Sequence, residues 1–238
     1  MPMESKGLAL EGGERVSTTA SLQRQGYRTL FGPGLVGGAT KRALDIVIAA
    51  TGLVMLAPLF VLTALAVLLS SPGPLLYGHR RIGANGRVFR CWKFRSMVEN
   101  SGEILERHLA ENPEARAEWR RSRKLKNDVR VTPVGHILRD YSLDELPQLF
   151  NVLRGEMSIV GPRPVQFDEL EMYGTDVAFY LRARPGITGL WQVSGRNDVS
   201  YDQRVSMDKA YVSQWSLLGD FVIILKTVPA ALTAKGAY

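Results

Sequence analysis

The chain has almost none of the residues that build disulfide or zinc frameworks. It holds one cysteine, Cys91, so no internal disulfide can form and cysteine-rich zinc sites are excluded. Its three histidines, His79, His108 and His136, are too scattered to suggest a metal cluster and read as surface or structural residues. The first residues, Met1-Pro-Met-Glu-Ser-Lys6, lack the apolar core of a secretory signal. That predicts a chain that begins and stays on the cytoplasmic side. The glycine-punctuated stretch from Arg182 to Asp198 is neither a Walker loop nor a G-x-G-x-x-G motif, helix-turn-helix, RRM and zinc patterns are missing, and there is no internal repeat. Acidic residues are outnumbered, 23 against 30 basic, giving a net charge of +7 and a pI near 9.7. Such a balance predicts anionic partners: phosphates, acidic lipid or nucleic acid.

The length, 238 residues, suits one domain or two small ones with a real core. Residues 1–39 are rich in Gly, Ser and Thr without sustained apolar periodicity, and composition predicts a disordered N-terminal tail. Residues 40–73 carry the strongest physical signal. From Ile46 to Leu69 run ~24 uncharged, mostly apolar residues, enough to cross a bilayer as one straight helix. Pro58 lies near the middle and removes the hydrogen bond to the Val54 carbonyl, which predicts a helix break. Both flanks are basic: Lys41 and Arg42 before, His79, Arg80, Arg81 and Arg87 after. Positive charge marks the cytoplasmic side, so the flanks favour a hairpin that dips into one leaflet and returns. A kinked one-way span stays open on physical grounds, since neighbours satisfy proline kinks within spans. A buried soluble helix is the third reading.

Residues 74–238 read as mixed helices and short strands. Ser71-Pro-Gly-Pro74 breaks the apolar segment. Leu75 to Tyr77 and Val88 to Phe94 are predicted strands around the turn Gly83-Ala-Asn-Gly86. In Trp92-Lys-Phe-Arg95, aromatic and basic residues alternate, which suits a nucleotide contact or a membrane-facing edge. Ser101 to Lys126 is a charged helical region split by Pro113, and Thr132-Pro133 starts a short helix. Near the end, Trp215, Leu217, Leu218, Phe221, Ile224 and Leu225 form either a core face or an interfacial face lying on lipid.

The candidate chemistry centres on Asp144 and Glu145, adjacent acids before the apolar-periodic Leu146, Leu149, Phe150 and Leu153. Ser142 and Glu145 have the spacing of a capping box, and acids in a first turn suit the helix dipole. Pro147 moves the expected helix start one or two positions later. Arg139, Arg154 and Arg163 lie nearby in sequence, and cations keep a carboxylate ionised, as a nucleophile or a ligand for a hard divalent ion requires. Further on, Arg182, Arg184 and Arg196 stand among glycines, a composition suited to phosphate or to ordinary tight turns.

These motifs resemble a known family. The order is Lys41-Arg42-x-x-Asp45, an apolar segment broken at Pro58, Lys93-Phe-Arg-Ser-Met97, Ser142-Leu-Asp-Glu-Leu146, Gly155-Glu-Met-Ser-Ile-Val-Gly-Pro-Arg-Pro164, Arg184-Pro-Gly-Ile-Thr-Gly189 and Ser194-Gly-Arg-Asn197. The chain resembles the bacterial sugar transferases, monotopic phosphoglycosyl transferases, from about Lys41 onward. His79-Arg-Arg-Ile-Gly83 and Asn197-Asp-Val-Ser-Tyr201 look most like the galactosyl-phosphate transferases of succinoglycan-type exopolysaccharide. The resemblance implies an α+β fold: a re-entrant membrane hairpin, a cytosolic mixed helix and short-strand catalytic domain, and interfacial amphipathic helices. It implies transfer of a hexose 1-phosphate from a UDP-sugar to undecaprenyl phosphate at the cytoplasmic face of the bacterial inner membrane, releasing UMP. Asp144 matches the family nucleophile and Glu145 the magnesium ligand. Lys93, Arg139, Arg163, Arg184 and Arg196 would hold phosphates. Where some members have Ser-Pro at the helix break, this chain has Ala57-Pro58. Membrane lipid is an expected partner and nucleic acid is not; a homodimer and polysaccharide-assembly proteins are compatible with the resemblance. UDP-glucose is the alternative donor. A membrane-tethered nucleic-acid binder and a non-catalytic assembly scaffold are the rivals from other classes.

Overall fold

The computed structural model describes residues 34–122, 125–194 and 199–232. The first helix, α1 (Gly38–Met55), follows Gly37 in a left-handed conformation (φ 74°). Gly38 and Ala39, assigned by composition to the tail, therefore belong to it. A second helix, α2 (Ala57–Ser70), follows after one intervening residue, Leu56, and the two axes are bent by 65°. Pro58 is the second residue of α2, where a missing N–H costs nothing. The Leu56 N–H closes α1 on the Gly52 carbonyl, and the Phe60 N–H reopens the ladder on Leu56. Among the described residues no single helix is long and apolar enough to cross a membrane; only this bent pair passes on length and composition.

Each limb buries one stripe. Lys41, Asp45 and Ala49 recur every fourth residue on the inner face of α1, and Thr63 and Val67 do so on α2. The outer faces are bare: Val54, Met55, Val61, Leu62, Leu65, Leu68 and Leu69 are exposed.

The strands form two small sheets. The first is an antiparallel hairpin of β1 (Leu76–Ile82) and β2 (Val88–Phe94), joined through a turn in which Asn85 takes φ 55°. β2 matches the expected strand. β1 runs five residues past Tyr77 because its pairing with β2, rather than an apolar pattern of its own, extends it through His79, Arg80 and Arg81. Helices α3 (Ser101–Glu111) and α4 (Pro113–Ser122) follow, divided at Pro113 as expected. Next comes α5 (Pro133–Asp140), capped by the Thr132 hydroxyl, which accepts from Gly135 N at 2.9 Å.

A 3₁₀ turn, Leu143–Glu145, leads into α6 (Gln148–Arg154), which ends at Gly155 (φ 79°). β3 (Ser158–Val160) then pairs in parallel with β4 (Gly186–Thr188) across a crossover holding α7 (Phe167–Glu171) and α8 (Val177–Leu181). Gly161 and Gly186 lie backbone to backbone where these strands meet, and a Cβ on either would collide with the other chain segment. The remaining helices are α9 (Leu190–Ser194), α10 (Tyr201–Ser213) and α11 (Leu217–Leu232). Leu218, Phe221, Val222, Leu225 and Val228 form an exposed apolar stripe on α11, opposite the buried Ile223. Mixed helices and short strands with an amphipathic helix at the end agree with the expected α+β class.

The core joins these parts. Ala49 of α1, Phe89 and Cys91 of β2, Leu149 and Val152 of α6, Met157 and Val160 around β3, and Tyr211 of α10 make one apolar cluster. A second cluster packs Val67 of α2 against Phe94 and Leu138, with Leu143 and Leu146 at its edge. The bent helix pair is thus seated on the same elements that carry the acid pair.

Candidate active site

The acid pair sits on the 3₁₀ turn and not in the first turn of a helix. Ser142 adopts φ 56°, an uncommon conformation for a residue with a Cβ, and its side chain makes no cap hydrogen bond. The expected capping box is therefore not formed: the left-handed Ser142 makes no side-chain cap bond, and the Glu145 N–H bonds instead to the Ser142 carbonyl at 3.2 Å. Pro147 takes the N-cap position of α6, later than the box implies.

Three polar anchors fix the turn against β2. Asn151 of α6 is fully buried; its Oδ1 accepts from Trp92 N at 3.0 Å and its Nδ2 donates to Arg90 O at 2.8 Å. That pins α6 to the edge of β2 and brings Lys93 over the acids. Lys93 Nζ donates to Glu145 Oε1 at 2.5 Å and stands 3.6 Å from Asp144 Oδ2. On the other side, Arg139 Nε donates to Ser96 Oγ at 2.9 Å, beside Asp144. Gly135 lets α5 approach this point, because a Cβ there would strike the Ser96 carbonyl.

Asp144 is buried, whereas Glu145 and Lys93 are each about one-third open. Burial pushes the Asp144 carboxyl up from its ordinary range, and Glu145 adds to this; Lys93 and Arg139 pull it down. Burial alone would lower the Lys93 ammonium, but Glu145 and Asp144 outweigh it and hold Lys93 above its ordinary value. A charged lysine thus keeps a desolvated carboxylate in reach of ionisation. Arginine proximity, the reason expected from sequence, is only part of the balance.

The other predicted phosphate residues lie elsewhere. Arg163 Nη1 pairs with Glu169 Oε1 at 3.0 Å, and Arg81 Nη1 pairs with Glu169 Oε2 at the same distance. Arg184 Nε donates to the Gly155 carbonyl at 3.0 Å, where Arg42 also holds the Val152 and Leu153 carbonyls at 2.6 and 2.9 Å. One edge of the Arg184 guanidinium is therefore spent on the C-terminus of α6. Arg196 lies outside the described residues. The structure thus unites Lys93, Arg139, Asp144 and Glu145, and sets Arg163 and Arg184 in separate clusters.

Sequence reasoning gave Ser96, Asn151 and Glu169 no role. No local pattern marks Asn151 for Trp92 and Arg90, which are far away in the chain, whereas Glu169 stands in a local capping box with Gln166 that gives no sign of its pairing with Arg81. Arg95 binds the Ser71 and Pro72 carbonyls at 2.5 Å, tying the end of α2 to the strand that carries Lys93.

The donor set fits a hard divalent cation. Magnesium is bound through one or two carboxylates with substrate phosphates and water completing the shell, and Glu145 is the half-open carboxylate here. The described residues form no group of three or more acid, histidine or cysteine ligands, so such an ion would depend on the substrate's own oxygens.

The profile of the family described as bacterial sugar transferase matches residues 36–234. The chain belongs to the bacterial sugar transferase family. It is accordingly an enzyme, a phosphoglycosyl transferase. The chain is 57% identical over 203 residues to the exopolysaccharide production protein ExoY of Sinorhizobium fredii, covering 85% of this chain and 90% of that protein. It is 54% identical over 198 residues to an undecaprenyl-phosphate galactose phosphotransferase of Salmonella typhimurium, covering 83% of this chain and 41% of that longer protein. A UDP-glucose:undecaprenyl-phosphate glucose-1-phosphate transferase of Caulobacter vibrioides is 43% identical over 206 residues, covering 83% of this chain and 72% of that protein.

Proposed function

We propose that the chain transfers a hexose 1-phosphate, galactose 1-phosphate in the first instance, from a UDP-sugar to undecaprenyl phosphate. UMP leaves, and the lipid-linked product starts exopolysaccharide synthesis at the cytoplasmic face of the inner membrane. The observation that carries this reading is the buried Asp144 held beside Lys93 and Arg139, one residue from the half-open Glu145. Two relatives named for galactose, each 54% identical, stand above the two named for glucose, at 43% and 37%, which favours galactose, while a galactosyl transferase at 40% falls between the glucose pair.

The residues divide the work as follows. An Asp144 oxygen attacks the phosphorus that bears the sugar, forming an acyl phosphate as the bond to the UMP oxygen breaks. The acceptor's phosphate oxygen then attacks the same phosphorus, and Asp144 leaves as a carboxylate. Splitting the transfer means that a water-soluble donor and a lipid acceptor need not be bound at once. Lys93 and Arg139 take up charge on the phosphoryl oxygens, in a pocket desolvated enough for that charge to count. Glu145 would hold magnesium, whose chemistry is to neutralise the diphosphate. The exposed outer faces of α1 and α2 suit a hairpin dipping into one leaflet, and the bare stripe on α11 suits the lipid interface. A pair dipping in this way would hold the acids at headgroup depth, where an acceptor phosphate would lie.

The test is UMP release by purified protein in nanodiscs with undecaprenyl phosphate and a panel of UDP-sugars. Release with UDP-galactose above all others is expected. Absence of UMP with every donor would overturn the reading. In a Cys91→Ser background, single cysteines placed before α1 and after α2 are both expected to be labelled from the cytoplasmic side.

A further inference from the structure

Each limb of the bent helix pair is fastened to the rest of the fold by one arginine that donates to two backbone carbonyls. On the α1 side the arginine belongs to the limb: Arg42 reaches the Val152 and Leu153 carbonyls at the end of α6. On the α2 side it belongs to the strand. Arg95 follows the last residue of β2 and donates through Nη1 to Pro72 O and through Nη2 to Ser71 O, each at 2.5 Å. Ser71 is the C-cap of α2, so the guanidinium stands where the helix's unsatisfied carbonyls and negative dipole end gather. Gly73, at φ 118°, leaves room for it, because a Cβ there would collide with Arg95 Nη1.

Arg95 is buried, at 8% exposure, and its Nε is sealed without a partner. Desolvating a guanidinium without an anion offsets much of what two carbonyl bonds return, so the contact is better suited to fixing a geometry than to adding stability. Residues 71–73 have no other side-chain hydrogen bond among the described residues, and Ser71 Oγ is itself sealed without a partner. The clamp therefore sets the exit of α2. That exit matters to the acids, because α2 lies against their turn. Val67 packs with Phe94 and Leu138, and Leu143 and Leu146, which bracket Asp144 and Glu145, rest on that cluster. The catalytic cations have separate anchors. Lys93 is held opposite Tyr77 in the β1–β2 ladder, and Asn151 holds its strand at Trp92 and Arg90. Ser96, which holds Arg139, is fixed through its carbonyl by the Thr132 N–H at 3.1 Å.

We propose that Arg95 is a positioning residue for the lipid acceptor: by fixing where α2 ends, it sets the height of the Asp144–Glu145 turn against the acceptor phosphate. This rests on the two-step transfer and the one-leaflet hairpin proposed above. The donor comes from water and meets Lys93, Arg139 and Asp144, which the ladder, Asn151 and Thr132 hold without the clamp. The acceptor phosphate is tethered to a chain in lipid and does not follow an acid pair that lifts or tilts. A misplacement of about 1 Å between reacting groups lowers a rate on the order of a hundredfold.

The test separates the two half-reactions. In nanodiscs, kcat/KM for UDP-galactose, kcat/KM for undecaprenyl phosphate and the Kd for UMP are measured in the wild type, Arg95→Met and Arg95→Lys. In a two-step transfer each kcat/KM reports its own half-reaction. Arg95→Met is expected to lower the acceptor's kcat/KM about tenfold or more, with the UDP-galactose value and the UMP affinity unchanged. Arg95→Lys, which keeps a charged donor, is expected to recover part of the loss. An unaltered acceptor kcat/KM in folded Arg95→Met, or a loss shared equally with the donor, would overturn the assignment. Gly73→Ala crowds the guanidinium from the linker and leaves Arg95 in place; it is expected to reproduce the acceptor-selective loss, and it decides in the same way if Arg95→Met fails to fold. Spin labels on Leu69→Cys and Glu171→Cys, in a Cys91→Ser background, follow α2 without turnover. Arg95→Met is expected to shift or broaden their distance distribution, and an unchanged distribution would overturn the clamp. A shifted distribution in a protein whose wild type turns over no UDP-sugar would refute the proposed reaction and leave the clamp standing.

Discussion

Two lysines in this chain each lie between two carboxylates, and they do opposite things. Lys41 Nζ is 2.8 Å from Asp220 and 3.4 Å from Asp45; all three residues are sealed, at 5%, 0% and 1% exposure. Lys93, between Glu145 and Asp144, keeps a side chain 34% exposed. In the sealed cluster almost every oxygen is satisfied. Asp45 accepts from Ser158 Oγ at 2.9 Å and Ile159 N at 3.0 Å; Asp220 accepts from the Tyr211 hydroxyl at 2.9 Å and Trp215 Nε1 at 3.1 Å. The network fastens α1 to β3 and α11. In the open cluster, the acids have Lys93 and little else of their own fold. The same charges make a rivet where hydrogen bonds surround them and a reactive centre where they are left unmatched.

The comparison breaks first at Asp144. Asp144→Asn is expected to lower UMP release at least about a thousandfold, as removal of a nucleophile does, with the thermal midpoint unchanged. Substantial turnover in that variant would remove Asp144 from the chemistry. Glu145→Gln is expected to cost about a hundredfold, and a chelator should stop the wild type; turnover that ignores chelation would deny Glu145 a metal role. The sealed cluster should respond in stability. Asp45→Ala leaves the Ile159 amide unpaired and Lys41 with Asp220 alone, while the Ser158 hydroxyl keeps Val160 O, and is expected to cost ~3–5 kcal/mol in denaturant unfolding. A mild effect there would make the rivet ornamental.

Lys93→Met sharpens the contrast through pH. Lys93 pulls the Asp144 carboxyl down against burial, so its removal lets that carboxyl rise further. The acid limb of kcat/KM is then expected to move to higher pH. A shift to lower pH, or none, would contradict the assigned pairing. Asp208 supplies a third case, a buried acid without a lysine. Burial pushes it up to about 7, against the Tyr173 hydroxyl bond at 2.7 Å and the pull of Arg163. A raised acid is neutral in the fold and charged in the unfolded chain between the two values. Its contribution to stability is therefore present below about pH 4 and lost as pH rises toward 7, at up to ~1.4 kcal/mol per pH unit. Asp208→Asn should flatten that slope in unfolding measured between pH 4 and 7.

What the sequence made legible follows the range of the interactions. The break near Pro58, the helix start at Thr132-Pro133 and the limits of β2 depend on neighbours in the chain, and each appears where expected. The adjacency of Asp144 and Glu145 was visible, and basic partners were named for it. Which bases reach the acids was not visible, because Asn151 and the β2 edge decide it across 59 residues. Arg184 looked like a phosphate ligand among glycines, yet a helix C-terminus claims part of its guanidinium. The capping box failed for a similar reason: packing of Leu143 and Leu146 against Val67 and Phe94 holds the turn in a shape that the local Ser-x-x-Glu spacing does not favour. β1 was too short in the sequence reading because strand pairing, not hydrophobic alternation, carries it through two arginines.

The decisive measurement is the intact mass of purified protein given UDP-galactose and magnesium with the acceptor withheld. A gain of one hexose phosphate is predicted in the wild type, located by peptide mapping to Asp144 and lost on adding undecaprenyl phosphate. Unmodified protein under those conditions, with full turnover once acceptor is added, would contradict a covalent role for Asp144.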